Sequence, residues 1–331
     1  MMDVSSPGGP AVASASASAG RPAEPDVPRV SIGLAVYNGD RYLAQAIESI
    51  LAQTYRDFEL IIFDNASTDR TGAICREFAA RDPRIRYTRN PSNVGGANNH
   101  NLTVQRARGE YFRWAAHDDV LAPALLEKCV AALDENPDVA LVFPKVIGID
   151  ENGAEQGITG VGEGTERLPS GRLRSLSSRR HKCEAIYGLV RTEVLRRTGL
   201  LLNYTDSDRV LLCELALRGR FLQLPEALFY KRFHAANQYK DWRARMAWFL
   251  PELQRSGKIV FPTWTQFFHY LRIIDRAALP LRDRLSCYAC MIPWLSWNAK
   301  RMAKDLFVAA YLLLHSRKFR AGRYADSDRW A

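Results

Sequence analysis

The stretch Glu59-Leu60-Ile61-Ile62-Phe63, followed by Asp64-Asn65-Ala66-Ser67-Thr68-Asp69, decides how this chain folds. An unbroken apolar run behind Glu59 suits a buried strand. The Asp/Asn/Ser/Thr cluster that stops it is turn chemistry, and Thr71 to Arg81 then reads as a helix. Upstream, Val30-Ser31-Ile32-Gly33-Leu34-Ala35-Val36 is a second apolar run, ended by Tyr37-Asn38-Gly39. Between the two, Arg41 to Gln53 carries Leu43, Ile47, Ile50 and Leu51 at helical spacing. Downstream, Ile85-Arg86-Tyr87 is a weaker strand, and Asn90 to Asn101 is a Gly/Asn-rich loop. A helix and a fourth strand, Tyr111 to Ala115, bring the chain to His117-Asp118-Asp119. Strands and helices alternating at this spacing predict an α/β domain with a mostly parallel sheet and helices on both faces. Ligands of such sheets bind beyond the carboxyl ends of the strands. Asp64, Asp69 and the pair Asp118-Asp119 all fall at that edge.

Further along, Pro123 to Asn136 is predicted helical and Val139 to Phe143 a strand. Residues 150–182 are polar and Gly-rich, basic around Arg179-Arg180-His181-Lys182, and read as one long flexible loop of the kind that often covers active sites. Thr192 to Thr198 and Asp208 to Arg218 look helical. Phe221-Leu222-Gln223-Leu224 and Ala227-Leu228-Phe229-Tyr230 look like two late strands before Phe233-His234. From Asp241 the pattern is helical and aromatic, broken near Pro251, Pro262, Pro280 and Pro293. Before all this, Met1 to Pro28 is Ala/Ser/Pro/Gly-rich and has almost nothing to bury, so it reads as a disordered tail. Asp3 stands where a signal peptide needs a basic residue, so the tail is not read as one.

Over 331 residues the net charge is +10, with 46 basic and 36 acidic side chains, and hydrophobic residues make up 47%, a globular composition. Residues 1–230 hold 27 basic and 29 acidic side chains, whereas residues 231–331 hold 19 and 7. The positive excess therefore belongs to the C-terminal third, which also holds six of the seven Trp. The near-neutral remainder and the lack of a zinc-finger or RNA-recognition motif argue against a nucleic-acid partner. Six scattered Cys suit a reducing compartment. Cys287-Tyr288-Ala289-Cys290 has metal-like spacing but no second pair, so it reads as two core thiols. No phosphate-binding or dinucleotide Gly fingerprint occurs, and no Gly-x-Ser-x-Gly elbow.

Asp118-Asp119 behind a buried strand is the sharpest candidate site. Hard cations such as Mg²⁺ and Mn²⁺ take carboxylate oxygens and complete their shell with water and substrate phosphate. The competing reading is a cap for the helix that follows Pro123.

The ordered motifs of residues 29–235 resemble the inverting family 2 glycosyltransferases of the GT-A fold. Val30 to Asn38 is similar to the family's opening strand and Tyr-Asn turn. Ser49 to Tyr55 and Phe58 to Ile62 resemble its first helix and second strand, and Asp64 to Asp69 its Asp-Asp-Gly-Ser-Thr-Asp turn. Asn93-Val94-Gly95 with Asn101, then Ala107-Arg108-Gly109-Glu110-Tyr111, match its next signposts. The resemblance implies a nucleotide-diphospho-sugar donor, with Ala35 and Tyr37 at the base and ribose. Asp64 and Asn65 would lie near the base edge, Asn93 and Gly95 would border the pocket, and Asp118 would reach the donor. It also implies a divalent cation, Mg²⁺ or Mn²⁺, at Asp118 and Asp119, with Ala116 replacing the first acid of the family's Asp-x-Asp motif. His234 resembles a late His that joins the metal or diphosphate in some GT-A enzymes. Ser207-Asp208-Arg209 fits the place of the catalytic base, with Ser in place of the usual Glu; Asp206 is the runner-up, and a helix cap is the plainer alternative for both. Arg179, Arg180 and His181 would close over the diphosphate or be merely a solvated basic loop.

The C-terminal third has its own chemistry. Leu285, Tyr288, Met291, Ile292, Trp294, Leu295 and Trp297, then Leu306 to Leu314, are flanked by Lys300, Arg301, Lys304, Arg317, Lys318 and Arg320. Aromatic and basic residues around short apolar helices suit a membrane interface, so residues 282–320 are read as a peripheral membrane contact. The alternatives are packing on the catalytic domain or a homodimer. The expectation is three parts: the tail over 1–28, a GT-A domain over 29–235 and a basic helical region over 236–331. The chain reads as a cytoplasmic enzyme at or near the inner face of the cell membrane, acting on a carbohydrate or lipid-linked acceptor. The rival reading is a non-catalytic sugar-nucleotide binder, motivated by Ala116 and Ser207.

Overall fold

The computed structural model describes residues 27–159, 162, 164–178, 182–234 and 261–314, with side chains as far as 310. The tail reading over residues 1–26, the Arg179-Arg180-His181 reading, the Pro251 break, and the basic flank at Arg317, Lys318 and Arg320 lie outside the described residues.

Four strands, β1 (Val30–Val36), β2 (Phe58–Asp64), β3 (Ile85–Arg89) and β4 (Tyr111–Ala115), alternate with α1 (Asp40–Leu51), α2 (Thr71–Arg81) and α3 (Gly96–Arg106). They pair parallel in the order β3-β2-β1-β4, so the chain starts in the middle, builds outward, and crosses back to the other side of β1. That reversal makes the carboxyl ends of β1 and β4 the switch point at which such sheets hold ligands. β1, β2 and β4 are buried on both faces, whereas the edge strand β3 buries only Ile85, and alternation along the strands sorts side chains between two cores. Leu60 and Ile62 join Val30, Ile32 and Leu34 on the α1 side, whereas Ile61 and Phe63 join Phe112 and Trp114 on the other.

Beyond β4 the sheet is mixed. Next come β5 (Val120–Leu121), α4 (Leu125–Glu135), β6 (Val139–Ile149), β7 (Glu155–Thr159) and α5 (Pro169–Ser177). A single 3₁₀ turn at Glu184–Tyr187 precedes β8 (Leu189–Arg191), α6 (Thr192–Arg196), α7 (Ser207–Arg218) and β9 (Arg220–Arg232). The short β8 pairs antiparallel with both β4 and β6, and β9 runs parallel to β6 and antiparallel to β5. Nine strands thus form one sheet among the described residues.

Three local expectations change. The 150–182 segment is no single loop, because it contains β7 and α5; α5 forms around Leu173 and Leu176, both fully buried. The two late strands are one strand, β9. Pro225 falls where the β6 pairing shifts register between Phe143 and Lys145, which is where a strand tolerates proline. The helix α3 begins at Gly96, inside the Gly/Asn-rich stretch.

The C-terminal helices are α8 (Pro262–Arg276), α9 (Leu281–Ala289) and α10 (Met291–Leu314). Pro262 opens α8 and Pro280 precedes α9, positions at which a missing N–H costs nothing. The packing alternative is realised for part of this region. Tyr270, Ile273 and Ile274 of α8, Cys287 of α9, and Met291 and Trp294 of α10 enter the same apolar cluster as Val210, Leu211 and Leu217 of α7. Cys287 and Cys290 carry free thiols, Cys287 buried and Cys290 half-buried.

Candidate active site

The turns that close β1 and β2 are locked to each other. Val36 pairs with Asp64, and the Asn65 amide donates to the Val36 carbonyl at 2.8 Å. Asn38 turns at φ 49° and donates its amide to Ser67 Oγ at 3.0 Å, while its side-chain Oδ1 accepts from the Thr68 amide at 2.8 Å. The Gly39 amide donates to Thr71 Oγ1 at 2.9 Å. A Cβ on Gly39 would come within 2.4 Å of His117 Cδ2, so glycine here lets the β4 turn approach the β1 turn. Of the two residues assigned to base and ribose, Ala35 is buried and Tyr37 is 45% exposed on this edge.

Asp64 and Asn65 are both buried and hydrogen-bonded within the protein. Asp64 accepts from the Ser67 amide at 2.8 Å and from Tyr87 Oη at 2.9 Å, with Arg89 Nε at 3.5 Å. Burial first, and this bond to Asp64 second, raise the Tyr87 phenol well above its usual range. Asn65 Nδ2 donates to Asn93 Oδ1 at 2.9 Å, and its Oδ1 accepts from Asn90 Nδ2 at 3.1 Å and the Val94 amide at 2.9 Å. Asn93 Oδ1 also accepts from the Gly95 amide at 2.9 Å. Gly95 sits at φ 85°, a conformation that favours glycine, and starts α3 from there. These four residues form one polar shelf tying the β3–α3 loop to the end of β2.

Asp118 and Asp119 lie in the turn after β4, beyond Ala116-His117, and are 5% and 6% exposed. Asp118 Oδ2 pairs with His234 Nε2 at 3.0 Å, which brings together two of the three residues assigned to the cation. Asp119 Oδ1 accepts from the Arg232 amide at 2.9 Å. Burial, then repulsion from Asp118, push the Asp119 carboxyl up to about 8. The buried Arg232 holds the turn: Nε donates to the Asp118 carbonyl at 2.9 Å and Nη2 to Gln45 Oε1 at 2.7 Å, with the guanidinium 4.6 Å from the Tyr42 ring centre. Among the described residues no three His, Cys, Asp or Glu side chains form a preformed metal cage. A Mg²⁺- or Mn²⁺-type site does not need one, since one or two carboxylates plus substrate phosphate suffice. Two buried carboxylates of which one resists ionisation are a donor set that a cation would relieve, so these residues fit such an ion.

Asp206 and Asp208 stand at the start of α7. Asp206 adopts φ 67° as the residue before the helix, and Asp208 accepts from the Arg209 amide at 2.9 Å. Burial, then the charge of Asp206, raise the Asp208 carboxyl above its ordinary value. Arg209 donates to the Ser178 carbonyl and so ties the first turn of α7 to the end of α5. Tyr187 connects the two acidic groups. Its phenol is raised well above its usual range first by burial and then by the charges of Asp119, Asp118 and Asp208, so this buried ring lies in the field of both acidic groups.

The sequence model of glycosyl transferase family 2 matches residues 31–198, half of the chain. The chain belongs to glycosyl transferase family 2. An uncharacterized glycosyltransferase of Methanocaldococcus jannaschii is 39% identical over 132 residues, which is 39% of this chain and 46% of that protein. Glycosyltransferase GlyG of Streptococcus pneumoniae is 32% identical over 123 residues, 37% of this chain and 40% of its own. The chain thus spans less than half the length of these curated relatives. Among solved structures, S. aureus TarS 1–349 in complex with UDP-GlcNAc superposes with a TM-score of 0.54 at 18% identity, over 91% of this chain and 94% of that one. The fold is the GT-A type of family 2, with a helical C-terminal region.

Two family 2 site neighbours escaped the sequence reading. Arg232 was hidden beside Phe233-His234. Arg113 left a visible signal, a lone charge inside the apolar strand Tyr111-Phe112-Arg113-Trp114-Ala115. It is fully buried, and among the described residues none of its three nitrogens has a hydrogen-bond partner. Its guanidinium stands 5.2 Å from the Phe229 ring centre. Burial lowers its pKa to about 10, against the opposing pull of Cys129 and Asp119.

Proposed function

We propose that this chain is an inverting glycosyltransferase. It moves a sugar from a nucleotide-diphosphate donor to a hydroxyl of a carbohydrate or lipid-linked acceptor, in polysaccharide, glycolipid or glycoconjugate biosynthesis. The observation that carries this reading is the buried Asp118-Asp119 pair, with Asp118 on His234, at the carboxyl edge of the sheet in a chain of family 2. The catalytic part is residues 29–235, the helical part 236–331, and the setting is the cytoplasm at the inner face of the cell membrane.

The donor enters at the carboxyl edge of β1, β2 and β4. Ala35 and Tyr37 border the base and ribose, and the Asp64-Asn65-Asn93-Gly95 shelf shapes the pocket wall. Bound at Asp118 and Asp119 near His234, Mg²⁺ or Mn²⁺ supplies Lewis-acid neutralisation of the diphosphate charge. Asp208 is the general base. It takes the proton of the acceptor hydroxyl as that oxygen attacks the anomeric carbon and the bond to the diphosphate breaks on the opposite face. A carboxyl raised by burial and by Asp206 is a stronger base than an exposed aspartate, which suits the task. Asp206 holds that charge environment in place.

A thermal-shift panel of UDP-, GDP-, dTDP- and CDP-sugars with and without Mn²⁺ tests this. TarS, which shares the fold, was crystallised with UDP-GlcNAc, so that donor is tried first. At least one donor should stabilise the protein, more so with Mn²⁺; if none does, the transferase reading fails. A donor that stabilises the protein yet is never transferred would favour the non-catalytic binder.

A further inference from the structure

Sorting residues 281–310 by exposure separates two jobs that look alike in sequence. Met291, Trp294 and Met302 are buried toward the catalytic part. Away from them, α10 presents Ile292, Ala299, Ala303 and Phe307, a single stripe on a helix of 3.6 residues per turn. Ile292 is 70% and Phe307 59% exposed. Leu306 borders the stripe and, with Phe261, Trp264, Thr265 and Phe268, lines an open apolar groove of about 440 Å³. The adjacent α9 adds exposed Leu281 and Leu285. Of thirteen exposed large apolar side chains among the described residues, eight belong to α8, α9 and α10, so exposure is concentrated here. A protein surface does not ordinarily collect exposed residues of this kind unless it serves an interaction.

The charges say which partner. Arg282 of α9 and Lys300 and Lys304 of α10 are exposed beside the apolar positions, whereas Arg301, nine residues from Ile292, falls on the far side of α10. Of the two acids in α9 and α10, Asp305 is turned to α8, where its Oδ2 accepts from the Thr263 amide at 2.7 Å. The face is thus apolar along the line from Ile292 to Phe307 and cationic along the edge marked by Lys300 and Lys304. Two copies brought together through it would oppose like charges, whereas anionic headgroups would pair with them. No helix among the described residues is long and apolar enough to cross a membrane, so a surface-lying geometry is the one available to them.

We propose that α9 and α10 dock flat on a bilayer surface bearing anionic headgroups. Ile292 and Phe307 enter the headgroup layer, and Lys300, next to Phe307 on the helix, pairs with lipid phosphate. This rests on the proposed function for its purpose, since it would hold the enzyme where a lipid-linked acceptor lies, but its physics is independent of turnover.

The test is co-sedimentation of the full chain with phosphatidylcholine vesicles, with and without phosphatidylglycerol, at low and moderate salt. Binding is expected with phosphatidylglycerol at low salt and should weaken at moderate salt. The pair Lys300→Glu and Lys304→Glu should lower vesicle affinity at least about tenfold. The pair Ile292→Glu and Phe307→Glu should do likewise, and because both positions are exposed the thermal midpoint should not move. Four outcomes overturn the proposal: no binding to either vesicle, equal binding to both, vesicle affinity unchanged in both variant pairs, or a dimer by light scattering that the Phe307→Glu change dissociates. A donor-induced thermal shift in every variant keeps a failure of docking distinct from a failure of the transferase reading.

Discussion

At the amino edge of the parallel strands Glu59 is buried, and at their carboxyl edge so is Asp119, yet their surroundings drive them in opposite directions. Glu59 accepts from Ser31 Oγ at 2.7 Å, the Arg108 amide at 2.9 Å, Arg86 Nη1 at 2.9 Å and Arg108 Nε at 3.1 Å. Burial alone would raise its carboxyl, but the bonds from Ser31, Arg86 and Arg108 win and hold it below its usual value. Asp119 has one hydrogen bond among the described residues and the like charge of Asp118 beside it, and is pushed up to about 8. Equal burial therefore means different things. Glu59 is neutralised by its own chain and staples β1, β2 and the turn before β4. Asp119 has only the pull of Lys231 and Arg113 to set against burial and Asp118, and that pull is too weak to hold it down. Where a buried acid lacks its counter-charge, a site for a ligand is the economical explanation.

The comparison can be broken most sharply at the third acidic position. Asp208→Asn should lower transfer about a thousandfold, within the range of a lost general base, while the donor-induced thermal shift is retained. Turnover near that of the unmodified protein would move the base to Asp206. Next in size, Glu59→Gln should lower unfolding stability by about 2 kcal/mol, since hydrogen bonds to a charged acceptor are lost. Chemical denaturation measures it, and an unchanged midpoint would mean that the staple is redundant.

The pH dependence of the two residues should separate them further. Glu59 is depressed in the folded state, so its contribution is present at neutral pH and fades as pH falls below the ordinary carboxylate range. Asp119 is raised, so the folded state keeps a proton that the unfolded chain has lost. Stability should then decline as pH rises from the ordinary Asp value toward about 8, and level off above it. Asp119→Asn should flatten that decline and gain on the order of 1 kcal/mol at pH 8 in metal-free buffer, the smallest of these effects. The same change should abolish any Mn²⁺-dependent stabilisation. In the unmodified protein Mn²⁺ affinity should climb between pH 6 and about 8, because the cation competes with the Asp119 proton; calorimetry at stepped pH reads this directly.

Much of this contrast is legible in residues. The strand-turn pattern from Val30 to Asp119 places both edges, because apolar runs and Asn/Asp turns act over a few residues. The fates of individual acids are not legible. Asp64 and Glu59 both look like strand-end carboxylates, and only the partners brought in from Tyr87, Arg86 and Arg108 tell what each does. The long segment after residue 150 reads as a loop because α5 advertises itself by only Leu173 and Leu176 among Arg and Ser. The late strand reads as two because Pro225 looks like a terminator unless the register shift in β6 is known. Arg113 is illegible for a different reason. A charge inside an apolar strand resembles a minor exception until its nitrogens are found without partners.

The apolar cluster shared by α7, α8 and α10 carries a consequence for how this chain can be divided or recombined. The family match ends at residue 198, before Asp208, and the helix bearing Asp208 is seated on Tyr270 and Ile273 from the far side of the boundary near 235. A shortened version ending at 235 would lay bare Val210, Leu211 and Leu217, and exchange of the last hundred residues with a relative would mismatch the seat of α7. The C-terminal helices and the placement of Asp208 thus stand or fall together, as one packed unit.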